Sequence, residues 1–282
     1  MRIVRTIEGL RAAVRQWREE DLTVAVVPTM GGLHAGHISL VGRARDRAER
    51  VITTLFVNPT QFGANEDLDK YPRTEESDAR MLDEAGCHLL FAPSPGEVYP
   101  EGFATRVIVD GLTDRLCGAA RPGHFDGVSQ VVSKLLNMAQ ADVAIFGEKD
   151  WQQLAVVRRM ACDLDIPTRI IGAPTVREED GLAMSSRNRY LTPEERAIAS
   201  ILPKTMKQAI QRCLATDDLS EVQAEGAKAL VDAGFQSVDY FEFRTADDLA
   251  AVQVFDPKVP TRLFVAAHLG KARLIDNNAV AR

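Results

Sequence analysis

The sequence predicts an α/β chain, a doubly wound parallel sheet followed by a smaller α+β unit. Three observations carry this expectation. Over residues 1–175 short apolar runs alternate with amphipathic stretches, the order of strands and right-handed crossover helices. The run Thr23–Val27 lacks in–out alternation, which suits a strand covered by helices on both faces. Beyond residue 175 the pattern changes to long helices and then short strands, so the chain divides into 1–175 and 176–282.

Thr6 caps a helix over 7–20, which carries Leu10, Ala13, Val14 and Trp17 at helical spacing. Thr23–Val27 reads as a buried strand. A glycine-bearing turn, Pro28 to Gly36, leads into a helix reaching Ala48, and Val51–Val57 is the second strand. A helix over 74–85 and a short strand at His88–Ala92 come next, then a surface loop from Ala92 to Gly102 marked by Pro93, Pro95 and Gly96. Helices at 127–139 and 152–163 flank a strand at Val143–Phe146, and Thr168–Ile171 closes this sheet. The second unit begins with helices over 193–213 and 219–233. Strands at Val238–Phe243, Arg262–Ala267 and Arg273–Ile275 complete it. No internal repeat or low-complexity tract is visible.

Composition narrows the function. Hydrophobic residues make up 45% and charged residues 26%, the balance of a globular protein. No apolar run approaches the roughly 20 residues that cross a bilayer, and Met1 to Arg5 leads into no apolar segment of a signal peptide. A cytoplasmic setting without membrane contact is expected. The net charge of −6 argues against nucleic acid as a partner, yet a few local cations can still hold a phosphate. Cys87, Cys117, Cys162 and Cys213 are widely spaced and read as reduced structural thiols rather than a zinc site.

A ligand of a doubly wound sheet sits beyond the carboxyl ends of its strands, and polar segments begin at those ends. Pro28-Thr29-Met30-Gly31-Gly32-Leu33-His34-Ala35-Gly36-His37 joins a strand to a helix. Its glycines let a ligand approach the backbone, and the helix N-terminus offers N–H groups to an anion. His34 and His37, three apart, face one side and can donate to phosphate oxygens. A structural turn with two incidental histidines is the other reading. A histidine metal pair ranks below both, since no third ligand is near. Asn58 and Gln61 in Val57-Asn58-Pro59-Thr60-Gln61 can bind a hydroxyl or carboxylate, but taken alone the segment reads better as a polar turn. In Gly147-Glu148-Lys149-Asp150-Trp151-Gln152-Gln153, Lys149 suits a phosphate, Asp150 a ribose diol and a glutamine an acid, against the reading of a solvated turn. Met184-Ser185-Ser186-Arg187-Asn188 suits phosphate contact or a capped helix start. Arg121 and His124, in Arg121-Pro122-Gly123-His124, either add positive charge or form a helix-starting turn. No Gly-x-Ser-x-Gly elbow and no Gly-x-x-x-x-Gly-Lys-Ser/Thr loop is present, so a nucleotide user would need another phosphate cradle.

His34-Ala35-Gly36-His37 resembles the His-x-Gly-His signature of the nucleotidyl-transferring α/β superfamily, and Met184-Ser185-Ser186-Arg187 resembles its second, Lys-Met-Ser-Lys-Ser-like loop. The full set resembles the pantothenate synthetase (pantoate–β-alanine ligase) family. It comprises Pro28 to His37, Val57 to Gly63 with Asn65-Glu66-Asp67 and Tyr71-Pro72-Arg73, Arg121 to Val128, Gly147 to Gln153 and Arg177 to Asn188, fading towards Asp276-Asn277. The resemblance implies a Rossmann-like sheet and an ATP-dependent ligase that forms pantoyl-adenylate and then pantothenate, releasing pyrophosphate and AMP. It also implies a cytoplasmic homodimer using ATP with Mg2+. Met30, Gly31, Gly32, Leu33, His34, Ala35, Gly36, His37, Gly147, Glu148, Lys149, Asp150, Val176, Met184, Ser185, Ser186 and Arg187 would form the ATP site. Of these, His37 (the family's credited proton donor), His34, Lys149 and Arg187 would be catalytic. Gln61 and Gln153 would bind pantoate, with Gln61 also beside β-alanine. The resemblance does not name protein ligands for the metal. Gly32 stands where the family more often has Ala, and Gln130 and Leu136 replace a common Thr and Phe. Residues 176–282, carrying the loop at Met184, would act as a lid over the adenylate. The histidine and Ser-Ser-Arg signals alone also fit a nucleotidyltransferase of dinucleotide type, or a nucleotide-binding module without turnover.

Overall fold

In the computed structural model, which describes residues 1–63, 68–215 and 218–281, the apolar run after Thr23 is a strand whose side chains alternate between two cores. Val24 and Val26 enter one, Ala25 and Val27 the other. Burial on both faces is why the run shows no polar alternation. Asn65-Glu66-Asp67 of the resemblance lies outside the described residues.

The strands are β1 (Arg2–Val4), β2 (Val24–Thr29), β3 (Arg50–Leu55), β4 (Leu89–Phe91), β5 (Val143–Gly147) and β6 (Arg169–Ala173). All pair in parallel in the order β1-β4-β3-β2-β5-β6. Helices α1 (Ile7–Glu19), α2 (Ala35–Arg45), α3 (Glu75–Glu84), α4 (Pro95–Val98), α5 (Cys117–Ala120), α6 (His124–Ala139) and α7 (Trp151–Asp163) connect them. Leu10 of α1, Val132 of α6 and Met160 of α7 pack into one core; Leu40 of α2 and Leu82 of α3 pack into the opposite one.

Beyond β6 lie α8 (Pro193–Ala199), α9 (Ile201–Cys213) and α10 (Leu219–Asp232), then β7 (Ser237–Thr245), β8 (Thr261–Leu269) and β9 (Ala272–Ala279) in an antiparallel sheet. Phe243, Leu263 and Leu274 face the helices of a third core. Tyr240, Phe264 and Ala266 point the other way and join the core that holds α1, α6 and α7. The small sheet is therefore apolar on both faces.

The structure departs from the sequence reading at several elements. The N-terminal residues form an edge strand, β1, held by its ladder with β4 rather than by any local pattern. The helix expected over 193–213 breaks at Ser200, because Pro203 in the first turn of α9 offers no N–H and its ring excludes the carbonyl of Ala199 from a continuous helix. The stretch expected as a surface loop contains α4, capped by Ser94, and buries Val98 completely. Helix α6 starts at His124, three residues before the expected start at 127.

Candidate active site

Strands β2 and β5 are neighbours, and the chain runs from β2 to β3 on one side before crossing to β5 on the other. Crossovers diverging from adjacent strands open a crevice at their carboxyl ends. A cavity lies there. The turn after β2 contributes Met30, His34, Gly36 and His37, and the turn after β3 contributes Asn58 and Gln61. The segment after β5 adds Gly147, Lys149, Asp150 and Gln153. Val176, Met184, Ser185, Ser186 and Arg187 line the side nearest the helices α8–α10. Four segments spread from Met30 to Arg187 are thus brought to one cavity, which Arg121 and His124 also line.

The remaining candidates of these segments stand behind the wall. Gly31 and Gly32 are buried, Leu33 packs into the core with Ala25 and Val27, and Ala35 faces outward from the first turn of α2. The Glu148 carboxylate lies 3.9 Å from Arg262.

The two histidines cap α2 with each other. His34 is the N-cap and its Nδ1 accepts the Gly36 N–H at 3.1 Å, while the His34 N–H donates to His37 Nδ1 at 3.3 Å. A side chain on Gly36 would put Cβ 2.8 Å from the His34 ring, so the glycine of His-x-Gly-His is what lets that ring fold back. With both Nδ1 atoms accepting, each imidazole is the neutral tautomer carrying its hydrogen on Nε2. Burial, aided by Lys149 and Arg189, lowers the His34 pKa to about 4; burial and the neighbouring His34 ring lower that of His37 to about 3.

The expected backbone cradle for an anion is differently used. Gly31 and Gly32 adopt positive φ (85° and 63°), which turns the N–H groups of Gly32 and Leu33 onto the Asp78 carboxylate at 2.9 and 3.0 Å. Thr74 Oγ1 donates to the same carboxylate, which is 1% exposed. These N–H groups, like those of His34 and Gly36, are engaged inside the protein. His34, His37 and Lys149 line the cavity, and Lys149 pairs with Asp150 at 3.6 Å. Sequence reasoning missed Asp78, because among Glu75 and Glu76 it looks like an ordinary acidic first turn stabilised by the helix dipole.

The amides divide in the same way. Asn58 is buried, and its Nδ2 donates to Gln61 Oε1 (3.2 Å) and to the Gly127 carbonyl (3.0 Å) while its Oδ1 accepts from Tyr99. It holds the turn that presents Gln61, whose Nε2 rests 3.0 Å from Met30 Sδ. His124 bridges the Gln61 carbonyl (2.8 Å) and Arg121 (3.0 Å). Gln153 faces the cavity. Gln152 points away and is bonded to Leu112, Arg115 and Cys117 backbone.

The opposite wall is a hairpin. Met184 N–H donates to the Val176 carbonyl and Arg177 bridges to Ala183, so both ends reach the cavity. Ser185 caps the 3-10 turn Ser186–Tyr190, and Arg189 from that turn donates to the Leu33 carbonyl at 3.0 Å. That tie between the two signature loops had no sequence signal, since Arg189 follows Arg187 in a run of polar residues. Among the described residues no group of three or more His, Cys, Asp or Glu could hold a metal ion, and no helix is long and apolar enough to cross a membrane.

Comparison with known proteins shows the family and the fold. The family model described as Pantoate-beta-alanine ligase matches residues 2–279. The chain is 57% identical to the pantothenate synthetase of Paramagnetospirillum magneticum over 278 residues, covering 99% of this chain and 97% of that protein. It is 55% identical to that of Dinoroseobacter shibae, with 99% of both covered. The crystal structure of pantothenate synthetase from Thermus thermophilus superposes with a TM-score of 0.92 at 46% identity over the whole of both chains. A pantoate-β-alanine ligase from Francisella tularensis, described as complexed with β-γ ATP and β-alanine, gives 0.83 at 33% identity, with 99% of this chain and 98% of that one covered.

Proposed function

The chain belongs to the pantoate–β-alanine ligase family, and on that premise we propose how its cavity joins pantoate to β-alanine with ATP. It is an enzyme, a ligase of pantothenate biosynthesis. In the proposed course a pantoate carboxylate oxygen attacks the α-phosphorus, and pyrophosphate leaves. The amine of β-alanine then attacks the acyl carbon, and AMP leaves. The observation that carries this reading is the division of one cavity. Neutral Nε2–H donors and cations (His34, His37, Lys149, Arg187) stand at the switch point, and two uncharged amides (Gln61, Gln153) stand beside them.

Phosphoryl chemistry of this type needs charge neutralised and reactants aligned, without a covalent enzyme intermediate. His34 and His37 donate through Nε2 to phosphate oxygens, Lys149 and Arg187 supply positive charge, and Asp150 reaches the ribose. Met30, Gly36, Gly147, Val176, Met184, Ser185 and Ser186 contact the nucleotide, while Gly31, Gly32, Leu33, Ala35 and Glu148 shape its walls. Gln61 and Gln153 bind the pantoate hydroxyls and carboxylate. Magnesium would arrive with the triphosphate and neutralise its charge. Among the described residues no cluster of three or more His, Cys, Asp or Glu stands ready for a metal, which fits a magnesium ion held by phosphate oxygens and water.

The division at residue 175 and a closing role for the Ser185–Arg187 loop belong to the same proposal, as do a homodimer and a cytoplasmic location where ATP is available. The loop's place between the cavity and α8 supports closure. One experiment tests the reaction: pantoate should release pyrophosphate from ATP without β-alanine, and β-alanine added afterwards should release AMP. Pyrophosphate release that requires β-alanine would overturn the two-step course.

A further inference from the structure

Two adjacent residues of β9 hold both walls of the nucleotide cavity from behind. Asn277 is 3% exposed, and its Nδ2 donates to the carbonyls of Glu148 and of Lys149, each at 2.9 Å. Its Oδ1 accepts from Arg262 Nε at 2.7 Å. Arginine can only donate and carbonyls can only accept, so these partners fix which way the amide faces. Arg262 is itself immobilised. Its guanidinium lies 3.7 Å from the centre of the Trp151 ring, and Trp151 Nε1 donates to the Ala246 carbonyl at 2.7 Å. Asp276 is equally buried, and both its oxygens accept from Arg177, at 2.7 and 2.9 Å. Arg177 follows Val176 in the hairpin that brings Val176 and Met184 to the cavity. One dipeptide of the small sheet therefore grips the turn after β5 and the hairpin after β6.

We propose that Asn277 is a positioning residue for the nucleotide: by holding the carbonyls of Glu148 and Lys149 it sets the backbone from which Lys149 reaches the phosphates, while Asp276 holds the facing wall through Arg177. The inference rests on the reading of Lys149 as a phosphate ligand. The two captured carbonyls lie in the 3-10 turn Glu148–Asp150, a single turn whose direction is otherwise undetermined by any side-chain cap. Releasing them lets Lys149 drift, and misplacement on the order of 1 Å costs an aligned site as much as 100-fold. The same grip makes the small sheet a fixed wall, so closure over the nucleotide falls to the loop at Ser185–Arg187 and not to a swing of residues 176–282.

Calorimetric binding of ATP and of pantoate to the wild type, Lys149→Ala, Asn277→Ala and the double variant tests this. Asn277→Ala should weaken ATP on the order of tenfold and leave pantoate within about twofold, and the double variant should bind ATP no worse than Lys149→Ala alone to within about twofold. Asn277→Ser, which keeps one donor in a smaller side chain, should fall between wild type and Ala, and it carries the test if the Ala variant does not fold. Losses of Lys149 and Asn277 that multiply, an unchanged ATP affinity in Asn277→Ala or Asn277→Ser, or an equal loss of pantoate would overturn the proposal. Wild-type ATP affinity in Lys149→Ala would instead remove the reading of Lys149, and this inference with it.

Discussion

The backbone N–H of His34 points at Nδ1 of His37 across 3.3 Å, with the two rings 4.1 Å apart. The helix start and the cavity donors are thus one construction, and the imidazoles that would meet the phosphates also hold the first turn of α2. Each carries its hydrogen on Nε2 because Nδ1 is occupied by a backbone N–H.

That arrangement has a pH signature. The folded pKa values, about 4 for His34 and about 3 for His37, lie below the ordinary 6.5. As pH falls through the window from 6.5 towards 4, the unfolded chain takes up protons that the folded chain refuses, so stability declines. Urea unfolding at about pH 7 and about pH 4.5 should show a smaller acid loss in His34→Gln and His37→Gln than in the wild type. An identical acid loss in all three would mean that neither ring is held neutral. His37→Ala should lose ~2–4 kcal/mol of transition-state stabilisation in pantoate-dependent pyrophosphate exchange while remaining folded.

Asp78 should matter to the nucleotide without touching it. Asp78→Asn replaces two acceptor oxygens by one and faces an N–H₂ towards the N–H groups of Gly32 or Leu33. A buried donor left unsatisfied costs about 1–3 kcal/mol, so the melting temperature should drop and ATP affinity should weaken with it. Differential scanning calorimetry checks the first and isothermal titration the second; wild-type values in both would show that the turn holds itself.

Gln153 and Gln152 are adjacent and should behave oppositely. Gln153→Ala is expected to weaken pantoate more than ATP, because a polar site left unpaired discriminates against the ligand it serves. Gln152→Ala removes the acceptor for Cys117 N–H and the donor to Leu112 and Arg115, and should lower thermal stability by about 1–3 kcal/mol. Equal weakening of both ligands in Gln153→Ala, measured by calorimetry, would contradict the assignment.

The loop at Ser185–Arg187 should respond to nucleotide. Glu178 and Asp180 are clamped by Arg196, and Asn188 donates to Glu178, so the turn of the hairpin is anchored while its open end and the following loop reach the cavity. Hydrogen exchange over residues 178–190 should slow in the loop when ATP and magnesium are added. Arg187→Ala should slow adenylation and raise the share of adenylate lost to water. Protection unchanged by nucleotide would leave the loop as a fixed wall.

The sequence by itself determined the layered α/β plan, the strand ends where the polar segments cluster, and the family. Each rests on information local in the chain: apolar runs without alternation such as Val24–Val27, and compact signatures such as His34-Ala35-Gly36-His37. It also gave Thr6 as a cap, since that signal spans three residues. The resemblance singled out Gln61 and Gln153, but only the tertiary structure decided what holds their neighbours. Asn58 and Gln61 look alike in the chain, yet Asn58 is engaged by Gly127 and Tyr99 from two other elements, and the choice between Gln152 and Gln153 depends on what packs against α7. The engagement of the glycine-turn N–H groups by Asp78, 45 or more residues away, and the hold of Asn277 on Lys149, 128 residues away, are long-range hydrogen bonds. Such bonds follow from how the layers stack, and no short window of residues records the stacking.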